Sequence, residues 1–161
     1  MPNVPHRQPA AATLMPSAET LAAANINPCT GLASDYLNHF NEPIMLLEMI
    51  GDCPECLHDF LLWKPLSYRQ HFLASRLRTR DIAIMAYDST DPAIRAAFDD
   101  ITCAMSSILT SVAAALRAAE DDDDRARVAA ETVACLKPLV LLAGGVVNGA
   151  MVADIDHILS H

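Results

Sequence analysis

The chain lacks a long apolar run near its N-terminus, and it lacks an excess of positive charge. Residues 1–20 contain no continuous apolar stretch of about seven residues or more, so we expect no secretory signal and a cytoplasmic location. Eleven Lys and Arg residues against twenty Asp and Glu residues give a formal net charge of -9. This balance disfavours nucleic acids and anionic membranes as partners, and we predict neither.

The sequence also lacks the marks of a sheet and of the common catalytic motifs. Aromatic residues make up 5% of the 161 residues, and no segment shows sustained period-two alternation, so no strand is predicted. There is no Gly-rich phosphate loop, no nucleophile elbow and no pair of Glu-x-x-His motifs. We therefore predict no catalytic residue, and the sequence favours a protein that is not an enzyme.

What is present indicates one helical domain behind a flexible tail. The 52% apolar content is enough for a single compact domain with an ordinary core. The N-terminus is rich in proline and poor in large apolar side chains, which predicts a flexible tail over residues 1–30 containing a short helix capped by Ser17. Residues 31–161 are predicted to form an all-α bundle of four to five helices.

Apolar residues at every third or fourth position place the helices of that bundle. The predicted segments are Leu32 to Gly51, Pro54 to Trp63, Ser67 to about Tyr87, Asp91 onwards, and Arg125 to about Leu159. Pro43 is expected to kink or restart the first of them, and Pro138 and Gly144-Gly145 to disturb the last.

The last helix contains the most apolar stretch of the chain, Leu136 to Ala153. Because Lys137, Pro138 and Asn148 interrupt this stretch, we expect a buried helix rather than a membrane span. Gly145, Gly149 and Ala153 recur at intervals of four residues, which favours close contact with another helix, within the chain or between chains.

Two of the five cysteines form a Cys-x-x-Cys motif, Cys53-Pro-Glu-Cys56. An odd number of cysteines in a chain with a good core predicts reduced thiols rather than a disulfide framework. A Cys-x-x-Cys pair entering a helix can bind zinc or iron, or cycle as a redox dithiol. It can equally be two small apolar residues in a tight turn.

Three histidines and nearby carboxylates suggest a second candidate metal site. If the chain reverses near Gly51 and again near Lys64-Pro65, then His39 and Glu42 come level with His58, and His71 returns to the same level. Imidazole and carboxylate groups suit iron, manganese or zinc. The candidate metal ligands are therefore Cys53, Cys56, His39, Glu42, His58 and His71. The alternative is that these side chains are solvated or paired with arginines.

Charge is segregated between two adjacent blocks of sequence. Residues 32–60 contain six acidic residues and no Lys or Arg, whereas residues 64–80 contain five basic residues and no acidic one. The blocks could pair within the bundle or across a dimer. Alternatively, Arg69, Arg76 and Arg80, spaced along one predicted helix, could bind an acidic partner or a phosphate.

The sequence thus predicts a cytoplasmic, non-enzymatic interaction or regulatory module that forms a homo-oligomer or binds a protein partner. Arg69, Arg76 and Arg80 are its predicted partner-binding residues. The alternative is a protein that binds zinc or iron, or a thiol-redox protein, using Cys53, Cys56 and the nearby His and Glu residues.

Overall fold

The computed structural model describes residues 15–150, and within that range every regular element is a helix. The elements are α1 (Ala18–Ala23), a 3-10 helix (Ser34–Leu37), α2 (Asn38–Met49), α3 (Cys56–Leu62), α4 (Tyr68–Ala74), α5 (Arg80–Asp88), α6 (Pro92–Ala118) and α7 (Asp122–Val147). The all-α class is confirmed. Residues 15–150 contain seven α-helices rather than four or five.

Three helices begin where the sequence marks their start. The Ser17 side chain accepts a hydrogen bond from the backbone N–H of Thr20, and Ser67 accepts one from Gln70 in a complete capping box. Asp91 caps α6, whose first residue is Pro92. Each side chain satisfies a backbone donor that has no partner within its helix, which is why these starts could be predicted.

The helix predicted from Ser67 to about Tyr87 is wrong in its middle. α4 ends at Ala74, Ser75 is extended with ψ 154°, and α5 begins at Arg80. No Pro or Gly lies in this break, so no local signal marks it. A straight helix of 20 residues would span about 30 Å. The break instead lets α5 fold back against α4 and bury Ala83 and Ala86.

The last helix differs from its prediction in the opposite way. α7 runs through Pro138 and Gly144-Gly145 without interruption and ends at Val147. Pro138 is exposed, so solvent can hydrate the backbone carbonyl that a proline leaves unpaired in the preceding turn. Pro43 likewise lies inside α2. The predicted continuation to Leu159, like residues 1–14 of the predicted tail, lies outside the described residues.

The core joins all parts of the described chain. Its largest fully buried side chains include one phenylalanine from each of four helices: Phe40, Phe60, Phe72 and Phe98. α2 runs antiparallel to α7, since Glu48 pairs with Lys137 while Leu37 lies opposite Gly144. Leu21, Ala24 and Ile26 also belong to this core, although they precede the domain boundary predicted at residue 31.

α6 and α7 pack against each other as an antiparallel hairpin. By length and composition alone, each is long and apolar enough to cross a membrane, as core helices of soluble proteins also can be. The sequence predicts no membrane span here, because Lys137 and Pro138 interrupt the apolar stretch. α7 nevertheless meets the length and composition criterion for one. Both helices supply core side chains, among them Leu109 and Leu136. Only 28% of the apolar window of α7 is buried, however, so α7 is not the buried helix that the sequence predicts.

Candidate functional site

His39 and His71 come together, as the predicted chain reversals require. Their ring centroids are 6.0 Å apart, and the His39 ring stacks on Trp63 at 4.9 Å. His39 also lines a groove of about 510 Å³ that includes Glu42 and Asp59. α2 and α3 therefore lie side by side at His39 and Asp59, although His58, the predicted partner on α3, does not line this groove.

His39 holds the segment that follows α3 through two hydrogen bonds. Its Nε2 accepts a hydrogen bond from the Leu66 backbone N–H at 3.1 Å, and its carbonyl accepts one from Trp63 Nε1 at 2.9 Å. Burial, aided by the neighbouring His71, lowers the pKa of His39 to about 4. Burial also lowers the pKa of His71. The imidazole of His39 is therefore a neutral hydrogen-bond acceptor with a structural task.

The six candidate metal ligands do not form one site. Within residues 15–150, no group of three or more His, Cys, Asp or Glu side chains is placed to hold a metal ion. His58 is exposed on α3, and the groove that His39 shares with Glu42 does not include it. The expected convergence of three histidines on one metal site is therefore wrong for residues 15–150.

Cys53 and Cys56 do lie together, as a hydrogen-bonded pair of thiols at the start of α3. The Cys53 thiol donates to Glu55 Oε2 at 3.3 Å, and Cys56 is buried. Hydrogen bonding to Cys56 and Glu55 raises the pKa of Cys53 to about 11. A redox or metal-binding thiol needs the opposite shift, because the thiolate is the reactive form. The surroundings of Cys53 therefore favour its protonated form.

Alkylation provides a test of that assignment. At about pH 8, Cys53 is expected to react with iodoacetamide about a hundredfold more slowly than a thiol of ordinary pKa, because its thiolate fraction is that much smaller. Mass spectrometry of peptides during a time course gives the rate, and the exposed Cys29 and Cys135 are internal references. Labelling of Cys53 ahead of both references would show an activated thiolate and revive the redox interpretation.

The predicted partner-binding arginines lie on two helices and the turn between them, not on one helix face. Arg69 on α4 pairs with Asp88 at 2.5 Å. The Arg80 guanidinium lies within 3.5 Å of the carbonyls of Leu73 and Ser75 at the end of α4. Arg76 and Arg78 are exposed and make no ion pair with any residue in 15–150. We call Ser75–Arg80 the basic turn.

An apolar surface adjoins the basic turn. Leu73, in the last turn of α4, is 56% exposed, and Leu77 is exposed between Arg76 and Arg78. Large exposed apolar side chains beside unpaired cations are typical of a contact surface. The break between α4 and α5, which the sequence did not predict, creates this surface.

The acidic block presents a surface of matching character. Glu42, Met45 and Met49 follow one stripe of α2 at intervals of three and four residues, and Asp52 lies in the turn beyond. All four are exposed, Met45 by 53%. We call these four residues the acidic face. It combines two carboxylates with two apolar side chains, as the basic turn combines arginines with leucines.

A further cavity lies among residues that the sequence does not indicate as a site. It has a volume of about 380 Å³ and lies among Tyr36, Tyr68, Tyr87 and Asp99, residues from four separate elements. The sequence signal was the reversal at Asp91-Pro92, which brings the start of α6 back alongside Tyr87 of α5. The bend between α4 and α5 completes the cavity, and that bend was not predicted.

Gly145 in α7 and Gly149 beyond its end make fewer close contacts than the sequence predicts. A Cβ on Gly145 would meet nothing within 4 Å in the described part of the molecule, and one on Gly149 would meet Thr30 at 3.8 Å. Ala153 lies outside the described residues. Close packing therefore does not account for Gly145 within residues 15–150.

The comparisons with known proteins add no relative. No protein-family model, no curated protein and no solved structure matches the chain.

Proposed function

We propose that the chain is a non-enzymatic interaction module that self-associates by placing the basic turn of one copy on the acidic face of another. One observation carries this proposal. In residues 15–150, no basic residue of 64–80 pairs with an acidic residue of 32–60, because Arg69 pairs with Asp88 and Glu48 pairs with Lys137. The opposite charges of the two blocks therefore do not neutralise each other within one chain and are available to a second copy.

The apolar side chains give the contact a source of affinity. Exposed ion pairs contribute only about 0 to 1 kcal/mol each, so arginines alone would hold the surfaces together weakly. Burial of Leu73 and Leu77 against Met45 and Met49 adds the hydrophobic contribution, while the charges set orientation. In a twofold dimer each copy supplies one basic turn and one acidic face, so the contact forms twice.

We propose further that the protein is cytoplasmic and that its partner is neither a membrane nor a nucleic acid. The side of α6 that faces solvent carries hydroxyl groups, among them Ser107, Thr110 and Ser111. These groups suit water better than lipid. The net charge of -9 supports the exclusion of a polyanionic partner.

Charge reversal of the basic turn tests the proposal. Arg76→Glu combined with Arg78→Glu is expected to weaken dimerisation about tenfold or more, because glutamates would then face Glu42 and Asp52. Sedimentation velocity over a concentration series at low salt gives the dissociation constant. Arg117→Glu is the control, since Arg117 is exposed on α6 and makes no ion pair within residues 15–150.

A charge swap makes the test specific. The variant Glu42→Lys with Asp52→Lys should likewise dimerise about tenfold or more weakly, because its reversed acidic face would meet a basic turn. Mixed with the basic-turn variant, it should form a heterodimer in which both contacts again join opposite charges. A wild-type chain that stays monomeric at high concentration, or a mixture that forms no heterodimer, would overturn the proposal.

A further inference from the structure

The cavity beside Tyr87 has the size and position of a ligand site. Its volume of about 380 Å³ lies at the small end of the range of about 300 to 1,000 Å³ typical of such sites. The segment after α3 forms one wall with Pro65 and Leu66, and α6 forms the opposite wall with Asp99, Thr102 and Ser106. This cavity is separate from the basic turn and from the acidic face.

The hydroxyl groups around Asp99 already donate hydrogen bonds to other groups of the protein. Tyr87 donates to both carboxylate oxygens of Asp99 at 2.8 Å. Tyr36 donates to the Leu66 carbonyl at 2.6 Å, and Thr102 donates to the Asp99 carbonyl at 3.1 Å. A hydroxyl oxygen that donates a hydrogen bond still has lone pairs with which it can accept one. This part of the cavity therefore offers a ligand several acceptors.

The charge in the cavity is negative and not neutralised. Asp99 makes no ion pair with any residue in the described range 15–150. The guanidinium of Arg95 instead lies over the Tyr87 ring, 5.7 Å from its centroid, and donates to the Asp88 carbonyl. Burial, with the hydrogen bond and the charge of Asp99 adding to it, raises the pKa of Tyr87 to about 12. An anionic ligand would be repelled here.

We propose that this cavity binds a small organic cation with N–H donors, an alkylammonium or a guanidinium group, with Asp99 as its charge partner. The donors of such a group match the Asp99 carboxylate and the lone pairs of Tyr87, Tyr36 and Thr102. Its short alkyl portion lies against Pro65 and Leu66. The same chemistry is available from a free amine or from a Lys or Arg side chain of a peptide.

Binding to the full-length protein tests this assignment. Agmatine is the probe for a free amine, Nα-acetyl-arginine amide is the probe for a peptide side chain, and 1-butanol is the uncharged control. Calorimetry is expected to show that a cation binds and that butanol does not. Asp99→Asn should weaken that binding about tenfold or more, whereas Asp100→Asn, on the adjacent exposed residue, should leave it unchanged.

Two further readouts keep the test decisive if Asp99→Asn folds poorly. Tyr87→Phe keeps the carboxylate and removes one of several lone-pair acceptors, so binding of the cation should weaken by less than the tenfold expected of Asp99→Asn. Cys103 lines the cavity and is exposed, so a bound cation should slow its alkylation without slowing that of Cys135.

The outcomes separate clearly. Preference for agmatine identifies a free amine as the ligand, and preference for the blocked arginine identifies a protein side chain. A tenfold or greater loss of binding in Tyr87→Phe, retention in Asp99→Asn, equal binding of butanol, or absence of Cys103 protection by either cation would overturn the proposal.

Discussion

Acidification from about pH 7 to about pH 5 is expected to lower the free energy of unfolding by about 1 kcal/mol through His39. Burial lowers the pKa of His39 in the folded protein to about 4, against an ordinary value of 6.5. Between these two values the unfolded chain binds the proton and the folded chain does not. Stability is therefore complete above about pH 6.5 and is lost as the pH falls towards 4.

The size of this effect follows from the burial of the ring. A fully effective shift would cost about 2 kcal/mol at pH 5, since each pKa unit corresponds to about 1.4 kcal/mol. His39 is only half-buried, and solvent screening reduces the figure to about half. The lowered pKa of His71, also caused mainly by burial, adds to the loss in the same direction.

The matched variants His39→Gln and His58→Gln isolate the contribution. In His39→Gln the amide oxygen of the new side chain can accept the Leu66 N–H as Nε2 does, but it does not titrate, so the variant should lose less stability on acidification. His58 is exposed and makes no hydrogen bond to the segment after α3, so His58→Gln is the surface control for replacing a histidine by glutamine. Urea unfolding at several pH values, followed by the fluorescence of Trp63, gives the free energies. Equal pH slopes for wild type and His39→Gln would contradict the prediction.

The local chemistry of the sequence accounts for the helix starts and for part of the site. Ser17, Ser67 and Asp91 mark helix starts because a capping side chain acts within three residues of itself. The proximity of His39 and His71 could also be predicted, because two short chain reversals fix the register of neighbouring helices. In both cases the determining interaction is close in sequence.

What escaped prediction depends on packing between distant segments. The break after Ala74 has no Pro or Gly to signal it, and it lets α5 pack on α4 while Ala83 and Ala86 enter the core. The basic turn and the cavity at Asp99 both depend on that break. Side-chain direction was the other missing piece, because the position of His58 in the chain does not reveal that it faces solvent.

Replacing Gly31 by alanine is expected to destabilise the fold by about 2 to 5 kcal/mol. Gly31 has a φ of +75°, a conformation that costs a residue with a Cβ about 1 to 2 kcal/mol. A Cβ there would also lie 2.9 Å from the carbonyl oxygen of Ala86 and 2.9 Å from Thr90 Oγ1. The backbone of α5 cannot move aside without disturbing the core, so overpacking adds about 1 to 3 kcal/mol.

The neighbouring contacts make relief of that clash costly. The Gly31 N–H donates to Asn27 at 2.7 Å, and Asn27 in turn donates to Leu32, whose side chain is fully buried. Thr90 is also buried and donates to the Ala86 carbonyl. A shift of Gly31 would therefore break hydrogen bonds on both sides of the contact.

Gly145→Ala is the matched control, and it is expected to act in the opposite direction. Gly145 lies in the continuous helix α7, and a Cβ there would meet nothing within 4 Å in the described part of the chain. The substitution should raise stability by about 0.5 to 1 kcal/mol, because alanine loses less conformational entropy in a helix. Chemical denaturation of both variants gives the two free energies. A neutral Gly31→Ala would contradict the close approach to α5, whereas a destabilising Gly145→Ala would indicate that a segment outside residues 15–150, or a second chain, packs against α7 at this position.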